Sequence, residues 1–472
     1  MNRTYWLLVA MTLAAGFALF AVMRGSYGAA VLTGVLAVLL PLVYFLFRLL
    51  LPIMRKSAAR DLFSPLTAFP IVYIAWFAVG TIDFVDVPPD VAYGLFEPVP
   101  KYVLGFAALG LAAYVAGVLL HRPGSSSDRA ARTVAFTWAD GGFLPIMAGL
   151  GFLMVVFYIF IVAGMGSIPA LDANAGELRL QITSYGPAEA VLFTSAWTLI
   201  PMLMIYVWHR HPRTGVRLLC YAGVAVSSLL LLSLGGRTYL FVPLLTTLVA
   251  RHYGKQRFKA GKLALVCIAL FCGISLFGYT RDMSLTGAQF GEERLGIPGP
   301  VVPLVYAYLY VRYPVATFRD ITTVIPHQIP YQYGALSFGP LATLLPGHHE
   351  QSDIFFKNIL GNDFVGAGQP ATLLGPLYAD AGWLGIVAGM LCAGMLASHV
   401  YEWMLAAPTM IRVLLYAWLM QTLLFSLFSN LFPFLTTIWI PSFWLALNLF
   451  MRPSQVSRRD FARSTCPVQS QA

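Results

Sequence analysis

The sequence predicts an all-α integral membrane protein that crosses the bilayer about twelve times, because stretches of the necessary length recur from end to end. Of its 472 residues, 58% are hydrophobic and only 11% are charged, whereas a soluble domain carries roughly a quarter charged residues. A crossing helix needs roughly 20 mostly apolar residues. Composition and the repeated apolar stretches therefore give the same fold class, and we predict a single transmembrane domain over residues 1–472.

The apolar stretches define the predicted spans. They cover residues 5–23, 29–47, 66–82, 102–120, 143–162, 188–208, 218–234, 239–252, 263–279, 384–401, 411–429 and 432–451. The first stretch lacks a small-residue cleavage site and is long enough to span, so we interpret it as a retained helix rather than a signal peptide.

Charge gives the orientation of these spans. Lys and Arg are concentrated after the second, fourth, sixth and eighth spans and in the C-terminal tail, as at Arg55 and Lys56. The loop after the third span instead carries Asp83, Asp86 and Asp90. By the positive-inside rule, the basic loops and both termini are cytoplasmic.

The gap between the ninth and tenth spans, residues 280–383, falls on the outer side and is too long for a structureless connector. We therefore predict one large outer loop. Residues 301–318 are expected to form a helix within it, lying at the membrane interface and interrupted at Pro314.

Arginines on the outer side run against the positive-inside trend and are candidates for a site. They are Arg179, Arg237, Arg281 and Arg312. The planar guanidinium group suits phosphate oxygens, so a cluster of this kind suits a lipid-linked diphosphate. The alternative is that each one pairs with a carboxylate or extends to the lipid headgroups.

The outer loop also offers titratable groups that could remove a proton from a hydroxyl. The candidates are His327, His348 and Asp353, and Asp320 and Asp380 lie in the same loop. The adjacent His348 and His349 do not present ligands to one ion well, so no metal site is predicted. The sequence has no phosphate-binding loop of the Gly-x-x-x-x-Gly-Lys-Ser/Thr type, no Asp-x-Asp pair and no Cys-x-x-Cys pair.

Several motifs in this order resemble one family. They are Leu234-Gly235-Gly236-Arg237 at the start of a span, Tyr308-Leu309-Tyr310-Val311-Arg312, Leu344-Leu345-Pro346-Gly347, residues 370–375 and 380–385, and Gly166-Ser167-Ile168-Pro169 with Arg179 downstream. The chain resembles the bacterial O-antigen and polysaccharide repeat-unit polymerases, the Wzy proteins, and is most similar to their enterobacterial common antigen branch. The last outer loop departs from the pattern, since residues 429–433 hold no arginine.

The resemblance implies a GT-C-like fold and a glycosyltransferase that needs no metal or other cofactor. It implies that donor and acceptor are oligosaccharides on undecaprenyl diphosphate at the periplasmic face of the inner membrane. Membrane lipids and a chain-length regulator are the other implied partners, and nucleic acid is not one. Under this hypothesis the residues have the following roles: Arg237, Arg281 and Arg312 bind diphosphate, Arg179 binds diphosphate or acceptor sugar, one of His327, His348 and Asp353 is the base, and Tyr308 and Tyr333 stack on sugars.

Other functions stay open at this point. An O-antigen ligase uses the same donor. A GT-C transferase using a polyprenyl-monophosphate sugar usually places acidic residues in its first outer loop, whereas the candidates here, Asp83 and Asp86, lie after the third span. A lipid flippase or transporter would show matching inverted halves, which the sequence does not show.

Overall fold

The structure is a computed structural model. The structure describes residues 61–82, 98–121, 142–172, 178, 181–182, 185–210, 212–235, 237–254, 258, 262, 266, 273, 302–339, 352–361, 369–406, 409–429 and 435–450. Within these ranges the regular structure is helical, as predicted. The spans predicted at 5–23 and 29–47 lie outside the described residues, and so does 263–279 apart from isolated positions.

The helices follow the predicted spans closely. They are α1 (Ala68–Thr81), α2 (Lys101–Leu120), α3 (Phe143–Met165), α4 (Pro187–Arg210), α5 (Thr214–Ser233), α6 (Arg237–Gly254), α7 (Val302–Val324), α8 (Ser352–Ile359), α9 (Leu374–Ala406), α10 (Met410–Phe425) and α11 (Leu435–Phe450). In the described part of the chain, five of them, α2, α3, α4, α5 and α9, are long and apolar enough to cross a membrane.

The two ends of the helix bundle can be told apart by their helix termini. The distal end holds the end of α1, the start of α2, the start of α6 and the end of α10, and the proximal end holds the opposite termini. Two clusters of buried apolar side chains form the core of the bundle. One cluster lies around α4, α6 and α10, and the other lies where α2, α7 and α9 meet.

Helices α2 and α9 cross in direct backbone contact, and glycines make this possible. A Cβ on Gly117 would lie 2.1 Å from the Leu391 carbonyl oxygen, and a Cβ on Gly394 would lie 2.1 Å from the Tyr114 carbonyl oxygen. Small residues at a crossing allow the close packing that holds helices together in a membrane, where the hydrophobic effect contributes little. This reciprocal pair fixes the distance between the two helices.

Helix α9 has a sharp kink near the distal end. Ala381 and Gly382 have non-helical backbone angles, and Gly382 is in the left-handed region with φ +62°. After the kink the chain folds back, so that Leu377 lies against Gly385 and Gly389. The predicted span at 384–401 is the long arm after the kink, while Leu374–Asp380 forms a short arm that the hydropathy pattern did not predict.

Helix α7 confirms that the predicted outer loop contains a helix, but the helix is longer than predicted. It runs without a break from Val302 to Val324, so the predicted interruption at Pro314 is wrong. Proline costs one backbone hydrogen bond, but the flanking residues from Val311 to Arg319 are almost all buried, and this packing holds the helix together. Tyr308 and Thr322 are separated by about 21 Å along it, at 1.5 Å per residue.

The proximal end is closed by a buried carboxylate. Asp61 accepts hydrogen bonds from the hydroxyls of Tyr401 (2.6 Å) and Tyr253 (2.9 Å) and from the Phe63 N–H (3.2 Å), and Nε2 of His252 lies 3.2 Å away. Burial alone would raise the pKa of Asp61, but these hydrogen bonds outweigh it and lower the pKa. The segment before α1 is thereby tied to α6 and α9.

A glycine substitution tests the α2–α9 crossing. In Gly117→Ala the new methyl group meets a backbone oxygen that cannot move independently of its helix, so we expect a loss of about 1–3 kcal/mol of stability from overpacking. Gly149→Ala is the matched control, because a Cβ there has open space. Thermal unfolding of the detergent-solubilised variants measures both. Equal melting temperatures for the two variants would contradict the crossing.

Candidate functional site

One face of α7 attaches it to the distal ends of α1 and α2. The Tyr308 hydroxyl donates to the Ile82 carbonyl (2.8 Å), and Nη1 of Arg312 donates to the Gly80 carbonyl (2.8 Å). Thr322 lies 3.4 Å from the Tyr102 hydroxyl at the start of α2. These positions recur at the spacing of one helix face, and Arg312 is fully buried there.

The opposite face of α7 carries the polar groups of the candidate site. Tyr310, Tyr313, Thr317 and Asp320 follow one another at spacings of three and four residues, so they share a face. The Tyr310 ring packs on Phe428, with ring centroids 5.6 Å apart. This face therefore looks toward the end of α10.

Asp353, in the first turn of α8, is the half-buried carboxylate of this site. Its Oδ2 accepts a hydrogen bond from Ser429 Oγ at 2.5 Å, and Ser352 Oγ lies 3.5 Å from Oδ1. Burial raises the pKa of Asp353 to about 6, against the opposing effect of these serine hydroxyls. The pKa of Tyr313 is raised by burial and by the nearby carboxylates of Asp353 and Asp320. A carboxyl group with a pKa in this range can exchange a proton in mildly acidic to neutral solution.

The backbone around Asp353 is held from two sides. Its carbonyl accepts from the Gln369 N–H (2.7 Å), and Gln369 Nε2 donates to Thr317 on α7 (3.2 Å). The Thr372 N–H in turn lies 3.4 Å from the Phe428 carbonyl. The segment 369–372 thus links α7, α8 and the end of α10 into one unit.

Asp380 has a structural part in this region. Its carboxylate accepts from the backbone N–H groups of Leu336 (3.1 Å) and Ser337 (2.8 Å), and its carbonyl accepts from the Tyr333 N–H (3.0 Å). It fixes the loop 331–337 against the kink of α9. Tyr333 and Thr372, the non-glycine residues with positive φ in the described part of the chain, both lie in this region. Such backbone strain concentrates at functional sites.

Arg237 is the first residue of α6, at the distal end. It follows Gly235, whose left-handed φ of +74° allows the tight reversal from α5. The structure describes its backbone but not its side chain. Phe241, one turn further on, packs on Phe425 with ring centroids 5.0 Å apart. The turn 425–429 therefore contacts both α6, near Arg237, and Asp353.

The structure describes some of the predicted site residues. Asp353, Arg312 and Tyr308 lie among the helices at the distal end, and Arg312 is bonded to α1. His327 is exposed in the turn after α7, and Tyr333 is 85% exposed on the loop fixed by Asp380. Arg179, Arg281 and His348 lie outside the described residues. Of the three candidate bases, Asp353 is the one that the described structure places in a buried polar site.

Sequence reasoning missed some members of this site. Ser429 was overlooked because a lone serine after an apolar span carries no signal of its own. Arg319 lies outside this site, because it is seven residues after Arg312 and so falls on the attached face of α7, where its Nε bonds to Asp320 (2.8 Å). Tyr313 is next to Arg312 in sequence but points to the other face.

Within the described ranges no group of three or more His, Cys, Asp and Glu side chains could hold a metal ion. The polar groups near Asp353 are the hydroxyls of Ser352, Ser429 and Tyr313 and the Gln369 amide, which suit proton transfer and hydrogen bonding to sugar oxygens. Comparisons of the chain with family models, with curated proteins and with solved structures give no match.

The raised pKa of Asp353 gives a testable pH dependence of stability. Its folded pKa of about 6 exceeds its ordinary value of 3.8, so the folded state binds more protons between these values and this group's contribution to stability falls as pH rises through them. We expect Asp353→Asn to melt above the wild type at pH 7.5, with the difference narrowing at pH 4.5. Thermal unfolding at the two pH values measures this. A variant that melts below the wild type at pH 7.5 would contradict a net cost of burying the Asp353 charge.

Proposed function

We propose that the protein is a polysaccharide polymerase of the inner membrane. In this proposal about twelve helices cross the bilayer, both termini are cytoplasmic, and the distal end faces the periplasm in a GT-C-like arrangement. The substrates are oligosaccharide repeats carried on undecaprenyl diphosphate. Support comes from the basic loops on the proximal side, the large segment of non-spanning chain on the distal side, and the family resemblance of the motifs.

The observation that carries the proposal is the setting of Asp353 at the distal end, where its half-buried carboxylate accepts a hydrogen bond from Ser429 and has a pKa of about 6. A general base is most effective when its pKa lies near the working pH. Asp353 lies where α7, the short helix α8 and the end of α10 meet. In this proposal a lipid-linked substrate reaches the site from the membrane at this point. His327, exposed in a turn, has no comparable setting.

The proposed reaction exchanges one C–O bond for another. The oxygen of an acceptor hydroxyl bonds to the anomeric carbon of the donor glycan, and the bond from that carbon to the diphosphate breaks. The bonding electrons leave with the lipid diphosphate, and the hydroxyl proton passes to Asp353. The two glycans become one chain on the acceptor lipid, and no metal or nucleotide is consumed.

Negative charge on the departing diphosphate needs preorganised positive groups. We assign Arg237 to this role because it is the first residue of α6, at the distal end. The free N–H groups of a helix N-terminus add to its charge and favour an anion there. Arg281 is assigned to the diphosphate, and Arg179 to the diphosphate or the acceptor sugar, from their positions in the sequence and the family resemblance. Arg312, buried and bonded to Gly80, contributes in this proposal chiefly through the position of α7.

Replacing Arg237 tests the diphosphate assignment in cells. We expect Arg237→Ala to abolish the ladder of polymer lengths on a polysaccharide gel and to leave single repeats on the acceptor, with membrane expression unchanged. Arg213→Ala, an exposed arginine at the proximal end, is the matched control and should give a normal ladder. A normal ladder from Arg237→Ala would refute the assignment, and full-length polymer retained on the carrier lipid would indicate a ligase instead.

Replacing Asp353 tests the base. Asp353→Asn removes the proton acceptor but keeps the shape, so we expect a rate loss of about 10²–10⁴-fold in elongation of a purified lipid-linked repeat. The wild-type rate should fall as pH drops below about 6, since protonated Asp353 cannot accept the proton. His327→Ala is the control and should keep most of the activity. A wild-type profile that is flat from pH 5 to 8 would exclude Asp353 as the base.

A further inference from the structure

The end of α10 reaches the candidate base through Ser429. This serine opens the last distal loop, residues 429–433, which carries no charged side chain and departs from the family pattern in that respect. Its hydroxyl nevertheless makes the shortest hydrogen bond that the structure shows to Asp353, 2.5 Å from Oγ to Oδ2. Ser429 itself is buried, so water does not compete freely for this bond.

We propose that Ser429 is a positioning residue for the transfer reaction, and that it holds the Asp353 carboxylate in its ionised form with Oδ1 turned toward the acceptor hydroxyl. The inference deepens the proposed function and depends on Asp353 being the base. It assigns the uncharged last loop a part in catalysis by hydrogen bonding rather than by charge.

The geometry of the carboxylate supports this division between its oxygens. Oδ2 is occupied by Ser429, whereas the described partner of Oδ1 is Ser352 Oγ at 3.5 Å, which is the outer limit of a hydrogen bond. Oδ1 therefore keeps the capacity to accept a proton. A hydroxyl that donates to a carboxylate stabilises the charged form, and this counteracts the burial that would otherwise keep Asp353 protonated.

Ser429 can position another group because its own place is fixed. Its N–H donates to the Phe425 carbonyl (3.2 Å), and the neighbouring Phe428 packs on Tyr310 of α7. The Phe428 carbonyl also lies 3.4 Å from the Thr372 N–H. The turn 425–429 is thus attached to α7 and to the start of α9, and the Ser429 hydroxyl approaches Asp353 from a defined direction.

The pH profile of elongation distinguishes positioning from a purely structural role. In Ser429→Ala we expect the acidic limb of the rate profile to move up by about one pH unit, making the reaction roughly tenfold slower on the acidic side of the profile. Ser429→Thr keeps the hydroxyl and should restore the limb. Ser426→Ala is the matched control, since its hydroxyl bonds to the Thr422 carbonyl (2.7 Å) within the same turn. A uniform loss of rate with an unmoved limb would overturn the inference.

A second measurement does not depend on activity. We compare the melting temperature with and without Asp353→Asn, in the wild type and in Ser429→Ala, at a series of pH values. The difference caused by Asp353→Asn reports the contribution of Asp353 to stability. We expect this difference to change at higher pH values in Ser429→Ala than in the wild type. An unchanged range contradicts the role of Ser429 even if the protein has another function. Conversely, a shifted range together with no polymerisation by the wild type would refute the proposed function and leave the Ser429–Asp353 coupling standing.

Discussion

The buried hydrogen bond from Arg312 to the Gly80 carbonyl fixes the part of the molecule on which the site depends. A guanidinium group cannot be buried without acceptors for its N–H groups, and the carbonyls at the end of a helix are acceptors that lack a partner within that helix. Gly80 has no Cβ, and a Cβ there would lie 2.7 Å from Val315. The glycine therefore lets α7 approach α1 closely enough for the bond to form, and this contact, with the bonds from Tyr308 and Thr322, sets where the far face of α7 lies.

The site forms because α7 presents different chemistry on its two faces. One face binds the distal ends of α1 and α2, and the other gathers α8, the segment 369–372 and the turn 425–429 around Asp353. Burial then raises the pKa of Asp353, and Ser429 limits that rise. The same burial that suits a base costs stability at neutral pH, which is the usual relation between a reactive group and the fold that holds it.

Hydropathy predicted the long helices well, because a long apolar stretch satisfies its own backbone hydrogen bonds as a helix. The same signal could not predict what depends on tertiary contacts. Helix α7 continues through Pro314 because its neighbours hold it, and the short arm before the kink of α9 exists because Gly382, Gly385 and Gly389 let the chain fold back. Of the two candidate bases that the structure describes, His327 is exposed and Asp353 is packed among polar groups, a difference that no local pattern encodes. Ser429 had no sequence signal.

The central claim is that the distal site joins two lipid-linked glycans with Asp353 as base. The most direct measurement uses the purified protein in vesicles with a lipid-linked oligosaccharide repeat as the sole substrate, with no nucleotide and no added metal. The account predicts products of two and more repeats from the wild type, lost in Asp353→Asn. Movement of the unchanged repeat across the bilayer, with no longer product formed, would contradict the account and identify a carrier.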